Sequence, residues 1–499
     1  MNRILVVVYF IIIIILMKIL HRMRNKRMYQ LLKQFPSYRT YPLIGNAYIF
    51  LGSFDGLLQK AERYLKPYDR LVFWLGPTPC LSLKKHEDIV TILNHSQNRD
   101  MIGVTDPWLG TGLLNAGYKD WRTSRRILNQ AFSSDMLLKY VEVFNEKSSE
   151  LVEKLRPVAN TGTAVDIMEY MMETNLNAIL ENSMGVSIQS SGENGENFWK
   201  AVLTLIHSGA KRIQSPWLLS YYVYLIYLKI TGVIKAVHHL QFLPTKILRE
   251  RMNTNSQASQ FMEIPADDRS SRTIVGLLMK KYREEPDFTE IRMRDELLQV
   301  IFPGLETTSL TASYLMLMLA IHQDIQQKVY EEIIRLEVDN DGSLSMDDLN
   351  NHLKYLDQCI KETLRMYSPV IITTRRTHKE VPLKDGVIVP ANMFVVAFIH
   401  FVNYDPELYE NPFKWDPEHF NDQTVECRPK GTPMNFGFGP RSCIGSRYAI
   451  TFVKAQMAHI LRNYHLSTNI KEVRHEDLKS DLSIKHKLGY PIIFNSRKK

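Results

Sequence analysis

Cys443 sits in the run Phe436-Gly437-Phe438-Gly439-Pro440-Arg441-Ser442-Cys443-Ile444-Gly445. A thiolate is an electron-rich metal ligand that is costly to bury alone, so it needs backbone N–H groups and positive charge close by. Glycines at 437, 439 and 445 let the main chain come near the sulfur. Arg441 supplies a guanidinium that can reach an anionic group, and Phe436 can shield the sulfur from water. Together these residue types suit a thiolate held on a haem iron, with Arg441 on a propionate. A Gly-rich turn around an inert buried cysteine would use the same residues, and the loop alone leaves that reading open.

Phe436, Gly439, Arg441, Cys443 and Gly445 fill all five fixed positions of F-x-x-G-x-R-x-C-x-G. The loop therefore resembles that of the cytochrome P-450 family, the haem-thiolate monooxygenases. Three further patterns resemble the family's, in its order. Trp121 and Arg125 match W-x-x-x-R on one helix face, and the resemblance places both against haem propionates; alone, they would read as a basic surface helix with a half-buried tryptophan. Pro303-Gly304-Leu305-Glu306-Thr307-Thr308 resembles the segment in which an acid and a threonine, here Glu306 and Thr307, deliver protons during oxygen activation. Taken alone, those two could equally be ordinary helix residues, the hydroxyl bonded back to a carbonyl. Glu362 and Arg365 match E-x-x-R, three apart on a helix and so facing one way; a solvated surface pair has the same spacing.

The resemblance extends these assignments. Arg375, ten residues beyond Arg365, stands where the family places a propionate-binding arginine, with Val370 to Thr374 lining the pocket. Asp416-Pro417-Glu418-His419-Phe420 resembles P-E-R-F, so that His419 would close a triad with Glu362 and Arg365 where an arginine is common. A neutral histidine there would keep the hydrogen bonding and lose the charge. In the fatty-acid ω-hydroxylase branch, the residue three before the acid is often a glutamate that becomes ester-linked to haem. Pro303 cannot form that bond, which implies haem b bound non-covalently.

The elements that position these residues are mainly helical. The apolar segment from about Ile291 to His322 reads as a core helix, and Pro303, lacking an N–H, predicts a kink or widening within it. Strand-like pieces lie near Leu71 to Trp74, Cys80 to Leu83, Val387 to Pro390 and Pro491 to Phe494. The expected fold is mainly α with small β-sheets. Its organisation reads as a transmembrane signal anchor over residues 1–20, a basic and proline-containing linker over 21–45, and one haem domain over 46–499. Asn253 to Arg272, polar throughout much of its length, reads as an exposed loop. Trp217 to Leu228 is apolar and aromatic but too short to cross a bilayer, so it is either a core helix or a membrane-dipping lip.

Ile4 to Leu20 is almost wholly apolar and is followed by Arg22, Arg24, Lys26 and Arg27, a flank that keeps the remainder cytosolic. The 499-residue chain has a formal net charge of +9. Six of those charges fall in residues 1–30, with no acid among them, leaving +3 for the rest and no indication of nucleic-acid binding. With only four cysteines, there is no disulfide framework, and Cys80, Cys359 and Cys427 read as ordinary residues of a reducing compartment. Glu337 to Asp348 looks like a calcium-binding loop, but glutamate at position 1 and aspartate at position 12 reverse the usual order, so it reads as an acidic connector capping the next helix.

The family resemblance implies a microsomal monooxygenase, similar to insect members near the ω-hydroxylase branch, in the endoplasmic reticulum membrane. It would act on a small lipophilic substrate (fatty acid, hormone or xenobiotic), with NADPH electrons from a flavoprotein reductase and cytochrome b5 as a second donor. Lys119, Arg122, Arg126 and Lys430 are the expected docking cations. A haem-thiolate isomerase or dehydratase is a rival, although such members tend to lose the helix threonine retained here as Thr307. A non-catalytic, membrane-anchored haem sensor is another.

Overall fold

The helix Glu290–Ile321 is the axis of the structure, capped by the Thr289 side chain, which accepts the Arg292 N–H. Among the described residues it is the one helix long and apolar enough to cross a membrane, yet 83% of its most apolar window is buried. A helix that is hydrophobic on all sides and covered by other helices belongs to a core. It forms the centre of a computed structural model that describes residues 16, 20, 22–41, 44–50, 56–99, 105–187, 195–258, 273–336, 342–480 and 483–497. The expected anchor over 1–20 lies almost wholly outside these residues.

Two hydrophobic cores meet along this axis. From Met293 to Leu305 the central helix packs with residues of the helices Ile167–Met184, Gly195–Gln214, Ile234–Ala258 and Ile274–Glu284. From Leu310 to Ala320 it packs instead with residues of Ser134–Leu155, Lys354–Met366 and Ser446–Asn463. The short stretch between, Glu306 to Ser309, belongs to neither core. The helix continues through Pro303, so the missing proline N–H costs one hydrogen bond without ending the helix.

The main sheet has four strands in the order Arg70–Leu75, Thr78–Leu83, Phe394–Phe398 and Ile372–Arg376; its one parallel pairing joins Thr78–Leu83 to Phe394–Phe398. Smaller sheets include Ile388–Val389 and Pro491–Ser496. The expected strands are thus present, within a mostly helical fold. Three local expectations differ. Trp217 to Leu228 is not one helix: a short 3-10 turn, Pro216–Leu219, gives way at Ser220 to the helix Tyr221–Ile230. The first residues of the expected loop, 253–258, continue the helix Ile234–Ala258, and 259–272 lie outside the described residues. Residues 337–341 of the acidic connector also lie outside, but at its end Ser345 and Asp348 cap each other, each side chain accepting the other's backbone N–H.

Glu362 and Arg365 lie on the helix Lys354–Met366, both fully buried, with Arg365 Nε and Nη2 at 2.7 and 2.8 Å from the two carboxylate oxygens. The same guanidinium donates to the carbonyls of Asn403 (2.8 Å), Pro412 (2.7 Å) and Lys414 (3.2 Å). Histidine 419 completes the group: Nδ1 lies 3.0 Å from Glu362 Oε1 and Nε2 lies 2.6 Å from the Glu410 carbonyl. Burial pushes the Glu362 carboxyl upward, but the hydrogen bonds from Arg365 and His419 and the Arg365 charge outweigh it and hold the group below the usual carboxylate range. An ionised carboxylate and a carbonyl can only accept. Each His419 ring nitrogen therefore faces an acceptor, the hydrogen-bonding position an arginine would otherwise fill.

Because the folded Glu362 carboxyl is more acidic than its ordinary value of 4.5, its contribution to stability is complete above that pH and disappears as pH falls through the depressed folded value. Glu362→Gln leaves Arg365 as a buried, unbalanced charge and is expected to cost about 3–5 kcal/mol. Denaturant unfolding across pH checks both statements: the wild-type advantage over the variant should shrink on acidification.

Candidate active site

The cysteine loop folds back on itself, with the Cys443 N–H donating to the Phe436 carbonyl at 2.7 Å and the Ser442 N–H to the Gly439 carbonyl at 3.0 Å. Gly437 and Gly439 both have φ of +73°, in the left-handed region that favours glycine. At Gly439 a Cβ would also come within 2.8 Å of the Leu93 carbonyl, so only glycine lets the loop lie against the helix His86–His95. Gly445 differs from expectation: its φ is −91°, and a Cβ there would meet only Phe132 at an ordinary 3.6 Å. Its role is as the N-cap of the helix Ser446–Asn463, whose first free N–H groups lie beside the sulfur.

Cys443 has an exposed surface although protein encloses it, because that surface faces an internal cavity of about 260 Å³. Burial raises its thiol pKa. The Gly445 N–H and the charges of Arg125 and Arg99 act in the opposite sense without cancelling it, so a positive centre at the sulfur is needed to complete thiolate formation.

Four arginines line the same cavity (Arg99, Arg125, Arg375 and Arg441), and no aspartate or glutamate does so among the described residues. Arg125 Nη1 donates to the Ser442 carbonyl at 2.7 Å, tying the helix Tyr118–Ala131 to the cysteine loop. Arg441 spends donors on the carbonyls of Gln97 (2.8 Å) and Ala116 (2.7 Å), with its guanidinium 4.3 Å from the Trp121 ring centre. Arg375 donates to Thr373 Oγ1 (3.1 Å) and the Thr374 carbonyl (2.8 Å). The Nε atoms of Arg375 and Arg99 are enclosed without a hydrogen-bond partner. Desolvation, helped by the neighbouring arginine charges, pushes Arg375 and Arg441 each down to about 9. Buried cations with no counter-charge are expensive. A haem, with an iron for the thiolate and two propionates for the guanidiniums, fits this donor set.

Arg99 carries no motif in the sequence and was missed there; only the fold reveals it, by bringing residue 99 beside residues more than 270 positions away. Phe436, Trp121, Arg125, Arg375, Arg441 and Cys443 converge on the cavity as a group. Of the stretch Val370 to Thr374, only Val370 and Thr373 line it. The strand Ile372–Arg376 alternates, so Thr373 and Arg375 share its inner face while Ile372 and Thr374 do not.

The central helix contributes Pro303, Gly304, Thr307, Thr308 and Thr311 to the cavity wall. Thr307 Oγ1 donates to the Pro303 carbonyl at 2.7 Å and Thr311 Oγ1 to the Thr307 carbonyl at 2.8 Å, which leaves the lone pairs of both hydroxyls free to accept. Glu306 departs from the sequence expectation. Its neighbour Thr307 lies on the wall, but Glu306, about 100° round the helix, does not. Its carboxylate is 2.8 Å from Lys485 Nζ and accepts from Ser483 Oγ at 3.0 Å.

Outside the cavity, Lys119, Arg122 and Arg126 line a groove of about 780 Å³ along the helix Tyr118–Ala131, and Lys430 is not among its lining residues. Trp121 and Arg125 line both groove and cavity, so the same helix wall separates the two.

A protein-family model described as Cytochrome P450 matches residues 35–493. Similar proteins include Cytochrome P450 4g15 of Drosophila melanogaster, 24% identical, with 98% of this chain and 97% of that one covered. Cytochrome P450 4c21 of Blattella germanica is 27% identical over 92% of each chain. Cytochrome P450 4V2 of Homo sapiens is 27% identical over 89% of this chain and 86% of its own.

Arg99→Leu removes one of the buried cations without touching any sequence motif. It is expected to lower the haem-to-protein ratio of the purified enzyme and to weaken haem retention by on the order of 10-fold or more, measured as haem transfer to an apoprotein scavenger.

Proposed function

Because the chain belongs to the cytochrome P450 family, whose members are haem-thiolate monooxygenases, we propose that it hydroxylates a small lipophilic substrate with electrons from NADPH passed through a membrane-bound flavoprotein reductase. When bound, haem supplies the redox chemistry: O2 and two electrons are consumed, one oxygen atom enters the substrate and the other leaves as water. The observation that carries the reading is the convergence of Cys443, four uncompensated arginines and a hydroxyl-bearing helix face on one cavity.

Each residue then has a task of its own. Cys443 is the iron ligand and electron donor, its negative charge favoured by the Gly445 N–H and by Arg125 and Arg99. Arg99, Arg125, Arg375 and Arg441 hold the propionates, with Trp121 beneath the Arg441 guanidinium. Ile179, Ile274, Val300 and Val370 give the wall its apolar surface, which favours a lipophilic substrate and keeps water from the reacting centre. Pro303 offers no carboxylate and neither does any other lining residue among those described, in keeping with haem held without an ester bond.

Thr307, anchored through its proton to the Pro303 carbonyl, presents its oxygen to the cavity as an acceptor for a water that relays protons. Glu306 serves from behind the wall. Paired with Lys485 and Ser483, it can reach the proton path only by leaving Lys485, so we assign it the role of a positioning and relay group rather than a cavity acid.

The setting follows from the surface. Trp217, Tyr222, Ile226 and Ile230 are 62, 77, 58 and 79% exposed on adjacent short helices, which supports a lip dipping into lipid beside the cavity. With the apolar segment over 1–20 as anchor, this supports attachment to the cytosolic face of the endoplasmic reticulum membrane. The cationic groove along Lys119, Arg122 and Arg126 suits docking of an acidic reductase or of cytochrome b5.

Reconstituted with reductase, the protein should form product only with NADPH, and product formed without it would overturn the monooxygenase reading. Thr307→Ala is expected to reduce product by on the order of 100-fold while oxygen uptake continues, and Thr307→Ser to restore much of the coupling. Oxygen electrode traces set against product yield separate these outcomes.

A further inference from the structure

Away from the cavity, three elements distant in sequence bring potential metal ligands together. Glu62 lies on the helix Leu57–Tyr64, His400 on the helix Ile399–Asn403 and His475 on the short turn His475–Asp477. One ligand atom from each falls within 4.8 Å of the others, and none of the three lines the cavity. We propose that Glu62, His400 and His475 form a binding site for a divalent transition ion of the zinc class, clamping the N-terminal helix, the centre and the C-terminal segment of the domain.

The donor set is two imidazoles and a carboxylate, which with one water makes a four-coordinate zinc site. His475 Nε2 is 2.8 Å from a Glu62 carboxylate oxygen but off the line a ring N–H needs, and both His475 ring nitrogens are enclosed without a hydrogen-bond partner. The half-buried His475 ring thus sets Nε2 against a carboxylate oxygen and leaves Nδ1 without a partner, an arrangement that a metal ion would complete. His400 is 3% exposed, so its ring is held among packed side chains with little freedom to leave the site. The Tyr404 ring packs 4.7 Å from the His400 ring and 5.9 Å from that of His475, limiting how the two imidazoles can turn.

Ligand atoms at about 2.1 Å from zinc stand about 3.4 Å apart in a tetrahedron. All three ligand atoms already lie within 4.8 Å of one another, so small side-chain rotations would bring them to that spacing. Lys66 is the opposing charge: it acts on both Glu62 and His400 and must turn its flexible stem to solvent when the ion enters. The backbone of the site is tied to the ion-pair core, since His400 begins the turn that ends at Asn403, whose carbonyl receives Arg365. An ion here stiffens that connection.

The test uses the full-length, haem-loaded protein without a polyhistidine tag, dialysed against chelator and titrated with Zn(II) by calorimetry. One equivalent should bind, zinc X-ray absorption should show nitrogen and oxygen ligands without sulfur, and the melting temperature should rise with zinc. His475→Gln and Glu62→Gln, both at partly exposed positions, should each weaken binding at least about 10-fold and abolish the rise, with haem content unchanged. Several results would overturn the proposal: no saturable binding below about 100 µM, equal affinity in the variants, sulfur at the zinc, or the same loss in the control His352→Gln.

Discussion

A cysteine thiol and four guanidiniums enclosed around one cavity are a structure with unfinished electrostatics. Desolvation opposes every one of these charges, and the arginines repel one another, as the lowered values of Arg375 and Arg441 indicate. Among the described residues, none that lines the cavity carries a balancing carboxylate. The chain therefore folds into a shape whose favourable state includes a dianionic ligand with a metal at its centre, and ligand binding becomes part of the folding free energy.

The ion-pair core acts on the same loop from a distance. Arg365 gathers the carbonyls of Asn403, Pro412 and Lys414, and Glu362 gathers Arg365, the Asp416 N–H and His419. Asn403 in turn donates to the Arg365 carbonyl and contacts Asn435 at 2.7 Å, the residue preceding Phe436. A chain of hydrogen-bonded polar groups thus runs from the helix Lys354–Met366 to the start of the cysteine loop. Such a network adds little net stability compared with an apolar replacement, but it holds irregular backbone in one arrangement. His419 fits this network with a ring nitrogen on each of two acceptors, so histidine in place of the commoner arginine keeps the hydrogen-bonding pattern while shortening the reach.

What the sequence made legible was chemistry concentrated in short runs. The cysteine loop, Trp121 with Arg125, and Glu362 with Arg365 are each fixed by spacing within one turn or one helix face, and the fold brings them where those spacings point. Features that depend on which way an element turns were not legible. Glu306 is adjacent to Thr307 in sequence but on another flank of the helix, and its partner Lys485 lies 179 positions away. Arg99 has no local pattern at all. Val370 to Thr374 is contiguous in sequence, yet strand alternation gives the cavity only part of it. The same limit explains Ser220, which divides an apolar stretch that periodicity would join.

The location of the chemistry on the central helix has its own physical reason. Glu306 to Ser309 is the polar interval between the apolar runs that join the two cores, and its buried Glu306 and Ser309 side chains are hydrogen-bonded. Small or hydroxyl-bearing residues there leave room for a ligand. Each hydroxyl satisfies its own proton on a carbonyl four residues back, so Thr307 and Thr311 remain compatible with a buried helix while offering acceptor lone pairs to the cavity. Pro303 and Gly304 stand at the same seam, and at Gly304 a Cβ would approach Ile179 Cδ1 to 2.6 Å. Close approach of the helix Ile167–Met184 therefore sets the width of the cavity at that level. Enlarging residue 304 would displace Ile179 into the space a substrate uses, so the dimensions of the pocket are set by how the two cores meet as much as by the residues that line it.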